Sequence, residues 1–303
     1  MRRRDKGRAY AFRAESILVQ TVLRTLRLRP SSQPFLSGDG YRSLADQRYE
    51  RGSESRFRPE SVQQGDVVFC EGWKLEEFFQ GPALKISRPF VLVSSNGDTN
   101  INEGLVAQKP PVVHRWFAQN VRVRAAGLDP IPLGLENRVL HWHGKVGDFH
   151  SLRRRHPAQK TRVLYGFTIE TNPEERTEAL KALRQTPLAE PLTGRLNSRL
   201  YREQLAQYRF VASPEGNGLD CHRTWEAMYL GVVPIVRRSV AMDEFAALGM
   251  PLLVIDQWDD LRGWDEARWN FLYRERMGLF TQESLFFDFW AARIRMASAV
   301  CKE

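Results

Sequence analysis

The stretch 213-SPEGNGLDCHRTWEAMYLGVVPIV-236 sets the reading of the whole chain. Two glycines, a proline and an asparagine open it, a helical segment follows, and an apolar run closes it. Asp220 is placed to cap the helix, because its carboxylate can accept from the free N–H groups of the first turn. Gly231 is placed to end it, because glycine takes a positive φ without a Cβ clash. The segment before, "RFVASPEG" (209–216), and the segment after, "VVPIVRRS" (232–239), both read as strands. Strand, helix and strand in this order make a parallel pair with a crossover helix.

Between the caps, His222, Arg223 and Glu226 fall at i, i+1 and i+4 and share the face near the helix start. Ahead of them "EGNG" turns the backbone tightly with its N–H groups exposed. A glycine-rich turn feeding a helix start is a ready anion site. Two basic side chains at that positive end are unfavourable unless an anion joins them. Glu226, one turn further in, can accept two hydrogen bonds from a vicinal diol such as a ribose. The residues thus read as a site for a nucleoside diphosphate. The alternative reading is a surface helix with an internal Arg223–Glu226 pair and a solvated histidine.

Working outward, "TRVLYGFTIETNP" (161–173) reads as a strand and "PEERTEALKALRQ" (173–185) as a helix. "NSRLYREQLAQY" (197–208) and "SVAMDEFAALG" read as helices, and "PLLVID" (251–256) as a strand. Earlier in the chain, "DVVFCEG" (66–72), "PFVLVSSNGD" (89–98), "PPVVHRWFAQN" (110–120) and "LDPIPLGLEN" (128–137) are strand-like and end in small or polar residues. Strands alternating with helices predict α/β domains with parallel, doubly wound sheets and ligands at the carboxyl ends of the strands. The expected divisions are a basic N-terminal arm at 1–30, an N-terminal α/β domain at 31–150, a C-terminal α/β domain carrying the nucleotide site at 151–264 and helices at 265–303. Residues 31–64 read as linker with short elements, and the polar stretch 144–160 as the interdomain connection. The apolar tail must be buried, and is expected to pack back on the first domain and across both.

The 303 residues, 42% of them hydrophobic, are enough to bury the cores of two domains. Cys70, Cys221 and Cys301 have no close spacing, which argues against a disulfide scaffold and for a reducing compartment. No HExxH or CxxC pattern is present, so neither a metal nor another cofactor is expected. The net charge is +9, but residues 1–30 hold nine Lys/Arg against Asp5 and Glu15, leaving the body near neutral. Nucleic acid is therefore not an expected partner. The arm suits an anionic membrane surface, with "AESILVQTVLRTL" as a partly amphipathic helix too short and interrupted to span a bilayer. The expected location is cytoplasmic, with peripheral attachment to the inner membrane face as one option and a merely soluble extension as the other.

The 213–236 segment resembles the donor-site segment of exostosin-like glycosyltransferases of the GT-B fold superfamily. Within it "EAMYLGVVPIV" is similar to the wider GT-B pattern Glu-Ala-x-x-x-Gly-x-x-Pro-(Val/Ile), whose glutamate holds the nucleotide ribose. Looser matches are "VLVSSNGDTNI" (91–101), "WFAQN" (116–120), "PIPLGLEN" (130–137), "HWHG" (141–144) and "FTIETNPEER" (167–176). The resemblance implies two Rossmann-like domains facing a central cleft, with the nucleotide-sugar held mainly by the second. One departure matters: many retaining enzymes of this fold carry a second glutamate eight positions before the ribose glutamate. Here that position is Gly218, with Glu215 eleven positions before Glu226, which tilts the expectation toward inversion.

An inverting transfer needs a base at the acceptor hydroxyl and positive charge or N–H donors at the leaving diphosphate. Asp98, after an apolar strand, and Glu71 are the candidate bases, with His143 of "HWHG" third. Thr171, Asn172, Ser213, Glu215, Gly216, Asn217, Gly218, His222, Arg223 and Glu226 are the candidate donor-site residues. Thr171 or Asn172 reads equally well as the cap of the helix starting at Pro173, and Asp98 as a turn residue. Glu136 and Asn137 are expected to line the cleft. The expectation is a metal-independent hexosyl- or pentosyltransferase of polysaccharide biosynthesis. It would move a sugar from a nucleotide donor to a hydroxyl of a glycan or lipid-linked acceptor. Two alternatives stay open: a non-catalytic nucleotide-sugar or glycan-binding protein, and a polyanion-binding protein acting through its arm.

Overall fold

A computed structural model describes residues 17–303 apart from 24, 27, 141–144, 156 and 195. It contains two five-stranded parallel sheets. The first is built from β1 (Gln47–Tyr49), β2 (Val67–Glu71), β3 (Phe90–Ser95), β4 (Val113–Ala118) and β5 (Leu128–Pro130), lying side by side in chain order. The second is built from β6 (Lys160–Tyr165), β7 (Ala189–Pro191), β8 (Tyr208–Ala212), β9 (Val233–Arg237) and β10 (Leu253–Ile255). Its order is β10-β9-β8-β6-β7, so the winding direction reverses between β6 and β8.

The second sheet is doubly wound. Helix α5 (Pro173–Arg184), leading from β6 to β7, buries Ala179, Ala182 and Leu183 on the face that carries Val163, Phe210 and Ile235. Helices α6 (Ser198–Leu205), α7 (His222–Tyr229) and α8 (Val240–Ala247) bury Leu205, Trp225, Met228 and Phe245 on the opposite face, with Leu164, Val211 and Val236. Helix α9 (Glu266–Met277) returns to the first of these faces through Trp269 and Tyr273.

The first sheet departs from the expected double winding. Strands in sequential order with right-handed crossovers must place every crossover on one face. Accordingly Phe57, Val62, Phe78, Phe79, Ile101 and Leu105, from the successive connections, pack together on the face of Val68, Cys70, Leu92 and Trp116. These connections include helices α2 (Leu75–Gln80) and α3 (Glu103–Ala107). A parallel sheet is stable only with both faces covered. The other face, with Val67, Phe69, Val91, Val93 and Phe117, is covered by segments distant in sequence. Phe35, Leu36 and Tyr41 come from around helix α1 (Gly38–Ser43), and Trp290, Ala291 and Ile294 from helix α10 (Phe287–Lys302).

The stretch read as linker with short elements contains α1 and the edge strand β1. Two further differences concern connections. The stretch between the two expected helices of 173–208 contains β7, whose three residues are too few to show a period. The polar connection at 144–160 is largely helix α4 (Val146–Arg155), which buries Phe149 and Leu152. Among the described residues no helix is long and apolar enough to cross a membrane.

Helix α7 and the covering segments meet at Tyr229. Its hydroxyl accepts from the Leu36 N–H at 3.1 Å and donates to the Leu285 carbonyl at 2.9 Å. Its ring lies 4.2 Å from that of Phe35 between centroids. Tyr229→Phe should keep the ring contacts while leaving a buried donor and acceptor unmet, at a cost of roughly 1–3 kcal/mol for each group. Urea unfolding should show this as a lower midpoint at unchanged slope; an unchanged midpoint would mean that the hydroxyl does not tie the layers together.

Candidate functional site

Helix α7 carries the site because its residues suit a helix only between two breaks. Gly231, at φ +75°, ends it in the left-handed conformation read from the sequence. Its start differs from the expectation: Cys221 is the cap residue and offers no side-chain cap. Asp220 is instead turned into the core, where its Oδ2 accepts from the Leu133 N–H at 2.8 Å and from the Trp225 indole N–H at 2.7 Å. The local capping preference yields to two buried donors that no sequence window reveals. The start of α7, where Cys221, His222 and Arg223 border the crevice, is thereby left without a side-chain cap.

That crevice lies at the carboxyl ends of β6 and β8, where the second sheet reverses its winding, the expected ligand position in such a sheet. A cavity of ≈ 740 Å³ opens there, lined among others by Phe167, Thr168, Arg176, Tyr201, Arg223 and Glu226. Arg223 donates from Nη2 to the Gly166 carbonyl at 2.8 Å, and its buried Nη1 has no hydrogen-bond partner among the described residues. Arg176 is buried and donates to the carbonyls of Glu215 and Thr168 at 2.8 and 2.7 Å. The two guanidinium carbons lie 5.8 and 5.9 Å from the Phe167 ring centroid. Among the described residues neither arginine forms an ion pair. Two guanidinium groups held by neutral carbonyls beside an uncapped helix start form a strong anion site.

Glu226 is 4% exposed and borders this cavity. It does not form a surface pair with Arg223; its Oε1 lies 3.5 Å from the buried Arg202, whose guanidinium also meets Asp148. Among the described residues that Oε1 has no hydrogen-bond partner, and burial pushes the carboxyl up to about 7 against the pull of Arg202 and Arg223.

A second cavity of ≈ 500 Å³ lies against the carboxyl ends of β2 and β3 of the first sheet, bordered by Glu71, Trp73, Asn96, Asp98 and Asn137. Glu71 is held by Arg51, which donates from its backbone and its guanidinium at 2.8 Å each. His222 is the single described residue that borders both cavities. Its Nδ1 lies 2.8 Å from the Gly134 carbonyl. A carbonyl can only accept, so Nδ1 carries the proton and Nε2 the lone pair. Burial lowers the pKa of this imidazole, while the Gly134 carbonyl and Asp98 oppose the shift. The ring is therefore neutral at pH 7, and the expected second cation at the helix start is Arg176 rather than His222.

The remaining residues read from the sequence as a donor site divide. Thr171 borders the ≈ 740 Å³ cavity. Asn172 caps α5, accepting from the Glu175 N–H at 3.3 Å, and also donates to the Gly216 carbonyl at 3.3 Å. Ser213 is buried against Thr224 at 2.8 Å, away from both cavities. Glu215 turns toward the first domain and pairs with Arg122 at 2.8 Å. Gly216 is half-buried and Asn217 is exposed in the loop that follows β8. Gly218 is needed for close approach, since a Cβ there would lie 2.5 Å from Oδ1 of Asn120. That same oxygen accepts from the Leu219 N–H at 3.0 Å. His143 lies outside the described residues. Sequence reasoning missed Arg176, which sits on a helix with an ordinary amphipathic pattern; its only signal is a basic residue in the first turn, where the dipole disfavours it.

No family model matches the chain, and no curated protein matches it.

Asp220 links the site to stability through pH. Burial raises its carboxyl to about 6, against the hydrogen bonds it accepts. A carboxyl raised in the folded state binds its proton more tightly there than in the unfolded chain. Its stabilising contribution is full below the unfolded value near 4 and fades as pH rises through about 6. Glu226 adds a contribution of the same sign that fades through about 7. Asp220→Asn keeps an acceptor oxygen and should flatten the loss of stability between about pH 4 and 6. Asp220→Ala should cost roughly 1–3 kcal/mol for each abandoned donor. Denaturant unfolding across this range checks both, and an Asp220→Asn profile parallel to wild type would remove Asp220 as the titrating group.

Proposed function

We propose that the protein is a glycosyltransferase of the GT-B type, related to the exostosin-like enzymes. It would transfer a sugar from a nucleoside-diphosphate donor to a hydroxyl of a saccharide acceptor with inversion. The observation that carries this reading is the crevice at the β6–β8 switch point, where Arg176, Arg223 and the open start of α7 converge beside Glu226. In this reading the guanidinium groups and first-turn N–H groups take the diphosphate charge, and Glu226 accepts from the ribose hydroxyls. Preorganised donors of this kind stabilise the charge that grows on a leaving diphosphate.

The acceptor would enter the first-sheet cavity, where Trp73, 51% exposed, offers a flat apolar face to a sugar ring. His222, bordering both cavities as a neutral base, would take the acceptor proton on Nε2. The acceptor oxygen would then bond to the anomeric carbon as the bond to the diphosphate breaks. Asp98, whose charge acts on His222, would stabilise the imidazolium that forms. Asp98 and Glu71, read from the sequence as bases, here become an electrostatic partner and a cavity wall held by Arg51.

Calorimetric titration with nucleoside diphosphates and the matching nucleosides tests the donor half. Arg176→Ala and Arg223→Ala should each weaken diphosphate binding by about tenfold or more, as expected for a charge-assisted hydrogen bond, and leave the nucleoside nearly unaffected. His222→Ala should not show this discrimination but should abolish turnover. Equal losses for diphosphate and nucleoside would mean that the arginines only support the fold.

A double-mutant cycle addresses Glu226. Glu226→Ala should lose about tenfold or more in donor affinity, and a 2′-deoxy or 3′-deoxy donor should lose little further in that variant. Nucleoside affinity should also rise with pH through about 7, because the ionised Glu226 is the stronger acceptor. A coupling energy near zero would take Glu226 out of the donor site.

A further inference from the structure

A third pocket, of ≈ 450 Å³, lies beside the first-sheet cavity and shares Arg29, Glu50, Arg51 and Val139 with it. Five arginines line it (Arg29, Arg42, Arg48, Arg51 and Arg56) against the single acid Glu50. Glu50 is taken up by Arg42 in a bidentate pair with both contacts at 2.6 Å. Arg29 and Arg51 lean on Asp39 and Glu71, at 2.5 and 2.7 Å. Among the described residues Arg48 and Arg56 form no ion pair. Arg48, exposed at the pocket's rim, is held below its ordinary pKa by partial desolvation and then by the like charge of Arg42, with Glu50 opposing and Arg29 adding to it. Like charges gathered around one concavity are unfavourable until an anion joins them.

The neighbouring segment supplies a second, independent observation. Residues 17–23 are helical, and Leu23 and Leu28 contribute to the wall of the arginine pocket. Leu18, Val22 and Leu26, spaced four apart, are 66%, 46% and 60% exposed. An apolar stripe turned to solvent beside a basic pocket, in an N-terminal stretch rich in Lys/Arg, fits the boundary between lipid chains and anionic head groups.

We infer that the arginine pocket binds a phosphate group borne by a lipid, and that the apolar stripe seats the lipid chain beside it. The continuity of this pocket with the first-sheet cavity then presents the head group where Trp73 and His222 stand. That this head group is the acceptor of the transfer rests on the glycosyltransferase reading; the phosphate site does not.

The test uses the full chain and vesicles of phosphatidylcholine with and without phosphatidic acid. Three variants are compared with wild type: Arg48→Ala/Arg56→Ala, the charge-matched control Lys181→Ala/Arg184→Ala on exposed positions of α5, and Leu18→Ser/Val22→Ser/Leu26→Ser. The pocket variant should lose roughly tenfold to thirtyfold in affinity for phosphatidic acid vesicles while the control stays near wild type. The serine variant should also bind vesicles less, yet keep the thermal protection that inorganic phosphate gives wild type. Equal losses in the pocket variant and the charge-matched control would overturn the site in favour of general attraction. Protection by inorganic phosphate with no preference for phosphatidic acid vesicles would overturn the lipid assignment. Nucleoside diphosphate binding, measured on the same proteins, should not change in the pocket variant. Its absence from wild type would defeat the transferase reading and leave the phosphate site standing.

Discussion

Helix α7 is buried along six of its eight residues, and much of the rest is arranged around that burial. It lies under the second sheet and against segments that complete the first, and polar groups at its start and its end find partners there. Asp220 takes the Leu133 N–H, His222 takes the Gly134 carbonyl, and Tyr229 holds the Leu36 and Leu285 backbones. A buried polar group without a partner costs about 1–3 kcal/mol, so these contacts fix the 133–136 loop and the covering layer of the first sheet relative to the second. The two sheets are thus held in one relation by the helix whose open start faces the crevice.

The glycine-rich turn before α7 has a different use from the one its composition suggests. Gly216 and Gly218 let Arg176 and Asn120 approach closely; a Cβ at either would lie 2.7 or 2.5 Å from those side chains. Room for Arg176 is what turns the crevice from a helix terminus into a two-guanidinium site. The turn and the arginine are therefore one device, with the glycines serving the fit and the side chains supplying the charge. Asn172 joins it by capping α5 with its oxygen while its amide holds the Gly216 carbonyl.

How much of this was legible follows from where the information lies. The α/β class and the crossover around 209–239 were readable because hydrophobic runs and caps are local. The winding of the first sheet was not, since strand order is set by which faces the distant segments 35–41 and 287–302 cover. β1 and β7, at three residues each, are shorter than any period. Arg223 and Glu226 were read together from their spacing on one helix, and the structure places both at one cavity. Arg176 arrives from another helix through tertiary packing, and Asp220 was misread because a capping preference carries no knowledge of Trp225. The protonation of His222 was equally hidden: its partner is a carbonyl 88 residues away.

The position of His222 carries a consequence for any transfer between the two cavities. With Nδ1 committed to Gly134, the ring cannot flip its lone pair without breaking a contact to the loop of the first sheet. Nε2 is therefore set by the relation of the two domains and not by α7 alone. Movement that opens the cleft would remove the hydrogen bond that fixes the tautomer, and closure would restore it. In the proposed reaction the base would accordingly be competent only when the domains meet, so that the donor is activated where an acceptor can be deprotonated and water has the least access. In that proposal the Gly134 loop would be as necessary to the chemistry as the side chain its carbonyl orients.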